Sequence, residues 1–184
     1  MPPDAPPSAS GKLVNIRWVL KGVMDVPKKG DLSQEKLLNV FSMTPQDSEI
    51  SIIPANKSFG EVDLSLIVPP AATASRALKG QLTLKVKEKL SIRGVRVELV
   101  RVEEAGSRND NEVVSTAQVS GEISFNGGES PIFEFSLDIP ASVSPTSICR
   151  RSSLTWKVRA VLDRKMKTDF SVEQELRIYN ALKQ

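Results

Sequence analysis

"LTWKVRAVLDRKMKTDFSVEQELRI", Leu154 to Ile178, and "IRWVLKGVMDVPKKGDLSQEKLLNV", Ile16 to Val40, align without a gap within one 184-residue chain. Trp18 falls on Trp156, Asp25 on Asp163 and Asp31 on Asp169, each at an offset of 138 residues. The same offset joins Val23 to Val161, Lys29 to Lys167, Ser33 to Ser171, Glu35 to Glu173 and Leu38 to Leu176. Conservative pairs fill in between them: Ile16 with Leu154, Leu20 with Val158, Met24 with Leu162, Val40 with Ile178 and Phe41 with Tyr179. A shared tryptophan alone would carry little weight. An unbroken register through Trp, two Asp, Ser and Glu reads as an internal duplication.

Each stretch has the pattern of a β-hairpin. Ile16, Trp18, Leu20, Gly22, Met24 and Val26 share one face by period-two counting, and Pro27, Lys28, Lys29 and Gly30 supply a turn. Between the two stretches the alternation continues. Val62, Leu64, Leu66 and Val68 alternate, as do Leu82, Leu84 and Val86, then Val95, Val97 and Leu99 after Gly94. Gly106 to Asn111 reads as a polar turn, Val113 to Phe125 as a polar strand ending at Asn126-Gly127-Gly128, and Pro140 to Ser153 as a loop. Phe133, Phe135 and Leu137 alternate with Glu134, Ser136 and Asp138. Helical periodicity is almost wanting. The expected fold is all-β, an immunoglobulin-like sandwich preceded by a hairpin. The expected divisions are a disordered Pro/Ala/Ser tail over 1–12, the hairpin over 13–42, a linker over 43–59 with a short strand at Ile50 to Ile53, and the sandwich over 60–181.

Composition narrows the function. Forty per cent of the residues are hydrophobic and 26% charged, with a net charge of +3, which describes an ordinary globular protein and does not call for nucleic acid. One cysteine, Cys149, allows no internal disulfide and fits a reducing, cytoplasmic setting. No run approaches the ~18–20 apolar residues of a membrane span, and the N-terminus lacks the apolar block of a signal peptide. The chain has no histidine, so Cys–His pairing, the Ser–His–Asp triad and the usual zinc sites are all ruled out. The expectation is a non-enzyme without cofactor, and Cys149 beside Arg150 and Arg151 reads as an inert thiol.

Two sets of residues qualify as binding candidates. Lys85, Lys87 and Lys89 fall on one face of an expected strand, and Arg164, Lys165 and Lys167 lie at the C-terminal hairpin turn. Together they form a candidate surface for acidic partners or anions, though a stripe such as Lys85, Lys87 and Lys89 is more often a solvated edge. Trp18, Leu20 and Met24 form an apolar face on a hairpin too small to stand alone, and are candidates for self-association. Asp25, Asp31, Asp163 and Asp169 flank the two turns and read as turn residues paired with Lys29, Arg164 and Lys167, not as a cation site. "LVRVE", Leu99 to Glu103, fits a loose clathrin-box pattern but sits inside an expected strand and is rejected.

The ordered set resembles the arrestin-like family. "RALKGQLTLKVKEKLSIRGVRVELVRVEE" (Arg76 to Glu104) is similar to the opening of such a domain, and "PIFEFSLDIPASVSP" (Pro131 to Pro145) to its Phe/Leu strand ending in proline. "LTWKVRAVLDRKMKTDF" is similar to its long hairpin, so the likeness runs from about Gly60 to Tyr179. The variety resembles the divergent prokaryotic or ancestral-type members, which include sporulation-control proteins and the retromer cargo subunit. The Pro-Pro-x-Tyr signal of alpha-arrestins is missing. The resemblance implies a scaffold or adaptor that binds a protein through an edge strand or concave face. It also implies two sandwiches in tandem, so the N-terminal hairpin resembles the end of a first sandwich. That hairpin is expected to dock on the intact domain, to pair with a second copy as a homodimer, or to belong to a longer chain. A peripheral membrane contact remains open, and an oligomerisation module is the alternative function.

Overall fold

The computed structural model describes residues 5–27, 30–42 and 52–180, and every ordered element in them is a β-strand. The elements are β1 (Ala9–Ser10), β2 (Asn15–Ile16), β3 (Trp18–Met24), β4 (Leu32–Leu38), β5 (Ala55–Ser58), β6 (Val62–Ile67), β7 (Ala71–Thr73) and β8 (Ala77–Val86). They continue as β9 (Leu90–Ile92), β10 (Gly94–Ala105), β11 (Arg108–Ser120), β12 (Ile123–Phe125), β13 (Ile132–Asp138), β14 (Ser147–Ile148), β15 (Ser152–Asp163) and β16 (Phe170–Tyr179).

Two sheets form the sandwich. One runs β11-β10-β15-β16-β7, with β14 added to β15, and the other runs β13-β8-β6-β5. Alternation drives the layering, because successive side chains point to opposite faces of a strand. Along β6 the buried residues are Val62, Leu64 and Leu66, and along β8 they are Leu78, Leu82, Leu84 and Val86. From the other sheet Val95, Val97, Leu99, Leu154, Trp156, Val158 and Leu162 enter the same cluster. Burying a side chain of this size is worth about 1.5–3 kcal/mol, so this cluster dominates the fold's stability. The all-β sandwich expected from the sequence is the fold observed.

Several boundaries differ from expectation. β5 lies within the stretch expected to be a linker and pairs with β6, Ala55 opposite Leu66. Of the strand expected at Ile50 to Ile53, Ile50 and Ser51 lie outside the described residues, and Ile52 and Ile53 are not in a strand. The polar turn is only Gly106-Ser107; β11 starts at Arg108 and pairs back along β10. The strand expected to run to Phe125 breaks after Ser120, and β12 joins β9 in a separate small sheet. β8 ends at Val86, so Lys87 and Lys89 do not extend Lys85's strand face.

The N-terminal segment departs most from expectation. Residues 9–14 are not a free tail: Ala9 and Val14 are buried in the core cluster. Glu103, buried at 0% exposure on β10, accepts hydrogen bonds from the backbone N–H groups of Lys12 (2.9 Å), Leu13 (2.7 Å) and Val14 (2.8 Å). Arg101 Nε lies 2.7 Å from the same carboxylate. Burial alone would raise the Glu103 pKa. The three N–H donors and Arg101 outweigh it and hold the carboxyl below its ordinary range. Gly11 passes directly over this carboxylate, and a Cβ there would collide with it.

The hairpin β3–β4 follows, and its pairing reproduces that of β15–β16. Trp18 faces Leu38 and Met24 faces Leu32; Trp156 faces Leu176 and Leu162 faces Phe170. Every one of these pairs is related by the 138-residue offset. The correspondence extends upstream of the stretch that the sequence showed. Ala9 pairs with Ile16 as Ser147 pairs with Leu154. The indole N–H of Trp18 donates to Pro6 O (2.9 Å), and that of Trp156 donates to Ser144 O (3.1 Å). Ser8 N donates to Val40 O as Thr146 N donates to Ile178 O. The hydroxyl oxygens of Ser8 and Thr146 accept in return from Val40 N–H (3.0 Å) and Ile178 N–H (2.9 Å). Residues 6–27 and 30–42 thus share one local architecture with 144–165 and 168–180. The two segments meet where equivalent residues touch: Ser42 N–H donates to Asn180 Oδ1 (2.9 Å), and Asn180 N–H donates to Ser42 Oγ (3.2 Å).

Candidate functional site

The shared architecture sits in two unlike environments, and the contrast defines the candidate site. In the C-terminal segment, β15 is flanked by β10 on one edge and by β16 on the other. Val158 and Leu162 are 0% exposed there. In the N-terminal segment, β3 pairs only with β4 among the described residues. Leu20 and Met24, the counterparts of those two residues, are 60% and 64% exposed. The opposite face is apolar too, through exposed Val19, Val23 and Leu37. Two strands bare on both faces do not form an independently stable sheet, and an open strand edge is a template for another strand.

Trp18, Leu20 and Met24, singled out from the sequence, therefore do lie on one face of this hairpin. They are not equally available. Trp18 is half-buried and tethered by its indole N–H to Pro6 O, so Leu20 and Met24 are the open members. Val19, Val23 and Leu37 were missed, because a hairpin assumed to dock by one face was not expected to be bare on the other. A crevice lined in part by Ser8, Trp18, Leu38 and Pro145 separates the hairpin from the sandwich.

The electrostatics on the C-terminal side show what an occupied edge looks like. Glu98 on β10 lies directly opposite Arg159 on β15. Glu98 is buried and accepts from Arg159 Nε (2.7 Å) and Arg96 Nε (2.7 Å). Burial opposes its ionisation, but the two guanidinium groups prevail and lower the pKa. Arg159 also lies 3.9 Å from Glu173 across the hairpin. On the N-terminal side, Lys21 and Glu35 occupy the Arg159 and Glu173 positions and form the same cross-strand pair at 3.5 Å. Among the described residues none takes the place of Glu98 opposite Lys21.

Four of the six basic candidates, Lys89, Arg164, Lys165 and Lys167, line one polar depression with Glu61, and Lys85 and Lys87 lie outside it. Lys85 is exposed on β8. Lys87 turns onto Asp63 as an ion pair and donates to Phe59 O (3.0 Å). Arg164 is withdrawn from the set: it is buried, grips Glu61 with Nη2 at 2.7 and 2.9 Å, and stacks on Phe170 at 3.9 Å. Lys167 lies 3.5 Å from the same Glu61. Lys89 and Lys165 border that depression with it. Acidic neighbours far along the chain explain the difference, and period-two counting cannot see them. Likewise Asp163 pairs with Arg93 (2.6 Å), not with Arg164 or Lys167, while Asp169 accepts the Arg164 backbone N–H (3.0 Å). Lys29 lies outside the described residues.

A two-sheet sandwich of this strand order, closed by the long β15–β16 hairpin, is an arrestin-like fold. The crystal structure of Spo0M, sporulation control protein, from Bacillus subtilis is similar, with a TM-score of 0.57 and 17% sequence identity. The match covers 65% of this chain and 50% of the Spo0M chain, so it spans about half the length of that protein. No family model matches the sequence, and no curated protein matches it.

Proposed function

We propose that the chain is a non-catalytic, arrestin-like adaptor of the Spo0M type that binds a protein partner through the β3–β4 hairpin. The supporting observation is the contrast within the molecule. One architecture occurs twice at the same offset, covered on β15 and bare on β3. We read residues 6–42 and 144–180 as two copies of one unit, of which the N-terminal copy takes its covering strand from a partner by strand addition. Main-chain bonds would supply affinity and side-chain pockets the selection. The single cysteine fits a cytoplasmic setting. A membrane contact through the basic end has less support, since Lys87 and Lys167 already face Asp63 and Glu61.

A photoreactive residue at Val23, compared with one at exposed Ile132 on the sandwich, tests this reading in host extract. The expected result is a single defined adduct at Val23, lost on Leu20→Lys and not seen at Ile132. Equal labelling at both positions, or none at Val23, overturns it.

A further inference from the structure

Resting on that reading, the geometry points to the chemistry of the partner. It is an extended strand of another polypeptide with the pattern apolar, any, apolar, acidic, apolar, apolar, docking antiparallel on the outer edge of β3 with its carboxylate against Lys21. The inference transfers the β10–β15 register to β3 through the 138-residue offset. Opposite Leu162, Ala160 and Val158 stand Val95, Val97 and Leu99, all buried. The matching positions on β3 are Met24, Gly22 and Leu20, so three apolar residues are required across from them. Opposite Arg159 stands Glu98, and Lys21 holds the equivalent place with its cross-strand partner Glu35 already present. Opposite Lys157 stands Val100, which fixes an apolar residue across from Val19.

Charge complementarity selects this occupant over a second copy of the chain. Trp18–Met24, "WVLKGVM", contains no carboxylate, and the nearest, Asp25, meets Lys21 of a second copy only in a pairing centred on Val23, which sets Val19 against Pro27, a residue with no N–H to give. Pairing centred on Lys21 would set the two ammonium groups face to face, which is destabilising for directly opposed strand residues. Glu35 lies on β4, beyond the opposite edge, and already faces Lys21. A partner strand with an acid at that point joins a three-group ladder like Glu98, Arg159 and Glu173. Gly22, with open space where its Cβ would be, leaves room for a bulky apolar residue opposite.

The test uses a synthetic peptide with the sequence of Gly94–Glu104, "GVRVELVRVEE", and the full chain. Binding is followed by anisotropy of a labelled peptide, and location by amide exchange. Expected are protection of Trp18–Met24 and a roughly five-fold or greater loss of affinity with Lys in place of Glu98 in the peptide, with recovery on the Lys21→Glu chain. Affinity indifferent to both charge changes, or protection of β11 instead of β3, overturns the inference. Sedimentation showing a dimer that excludes the peptide overturns it in favour of a second copy. A defined adduct at Val23 with no peptide binding leaves the adaptor reading standing and sinks only the strand chemistry; failure of both removes both.

Discussion

Glu103 is the residue whose removal should free the N-terminal segment while leaving the sandwich folded. Its Oε1 accepts the Lys12 N–H and its Oε2 accepts those of Leu13 and Val14. Hydrogen bonds to a charged group contribute about 1.5–3 kcal/mol each and do not simply add. In Glu103→Gln the amide oxygen can keep the two bonds at Oε2, but its NH2 then meets the Lys12 N–H and Arg101 donor to donor. We expect a loss of about 2–3 kcal/mol in the docking equilibrium, or roughly 30- to 150-fold. Glu103→Ala leaves all three N–H groups without a partner and should cost about 3–5 kcal/mol. Arg101 keeps Glu112 at 2.6 Å in either variant. The assay is amide exchange at Leu13 and Val14, with Val97 and Leu99 on β10 as internal controls. Faster exchange at Leu13 and Val14 with unchanged controls is the expected result. Unchanged exchange at both sets refutes the carboxylate as the anchor and leaves the Ser42–Asn180 joint to hold the segment. The pH dependence has a fixed sign. A carboxyl held below its unfolded value stabilises fully above that value, about 4.3 for Glu, and progressively less as pH falls through the folded pKa. Docking should weaken only under acid, and Glu103→Gln should flatten that dependence.

Three further outcomes follow from the same geometry. Trp156→Ala should cost about 3–5 kcal/mol as a core truncation, and Trp18→Ala clearly less, although both indoles make the same bond twelve residues upstream; urea midpoints of the two variants decide it. Gly80→Ala should cost about 1–3 kcal/mol of stability, read as a lower urea midpoint at unchanged slope, because its Cβ would press on the Phe135 ring, Val68 and the Ile67 carbonyl at 2.9 Å. Glu98→Gln should destabilise the sandwich by about 1–3 kcal/mol and reduce its loss of stability below pH about 4.3, since it removes the shared partner of Arg96 and Arg159; denaturation at pH 7 and pH 3.5 measures both effects.

The parts of this structure legible in the sequence are those where one face of a strand meets the core. Val62–Ile67 and Ile132–Asp138 alternate because one side is buried and the other wet, and both lie where period-two counting put them. The hairpin pairing was legible for a second reason: two stretches with one offset constrain each other. What stayed hidden depends on contacts across the fold. "PPSASGKLV" has the composition of a disordered tail. It is ordered by a carboxylate 89 to 91 residues downstream, which also explains why Gly11 stands where the C-terminal segment has Cys149. β5 reads as linker because Ala55-Asn56-Lys57-Ser58 carries no apolar alternation, and its strand pairing comes from β6. β11 is a polar edge strand, so its first residues look like turn. For the candidate site, the sequence marked Trp18, Leu20 and Met24. That Lys21 suits an acid opposite it follows only from Arg159 facing Glu98, a contact between residues 61 apart in the chain.

The most direct test of the central claim, that β3 is an open counterpart of β15, is amide exchange along Trp18–Met24 compared with Trp156–Leu162 in the same chain. Alone, the β3 amides facing away from β4 should exchange far faster than their counterparts at the 138-residue offset. They should slow to the β15 range once a strand of the stated pattern is bound. Equal protection of the two strands in the isolated chain would contradict the account.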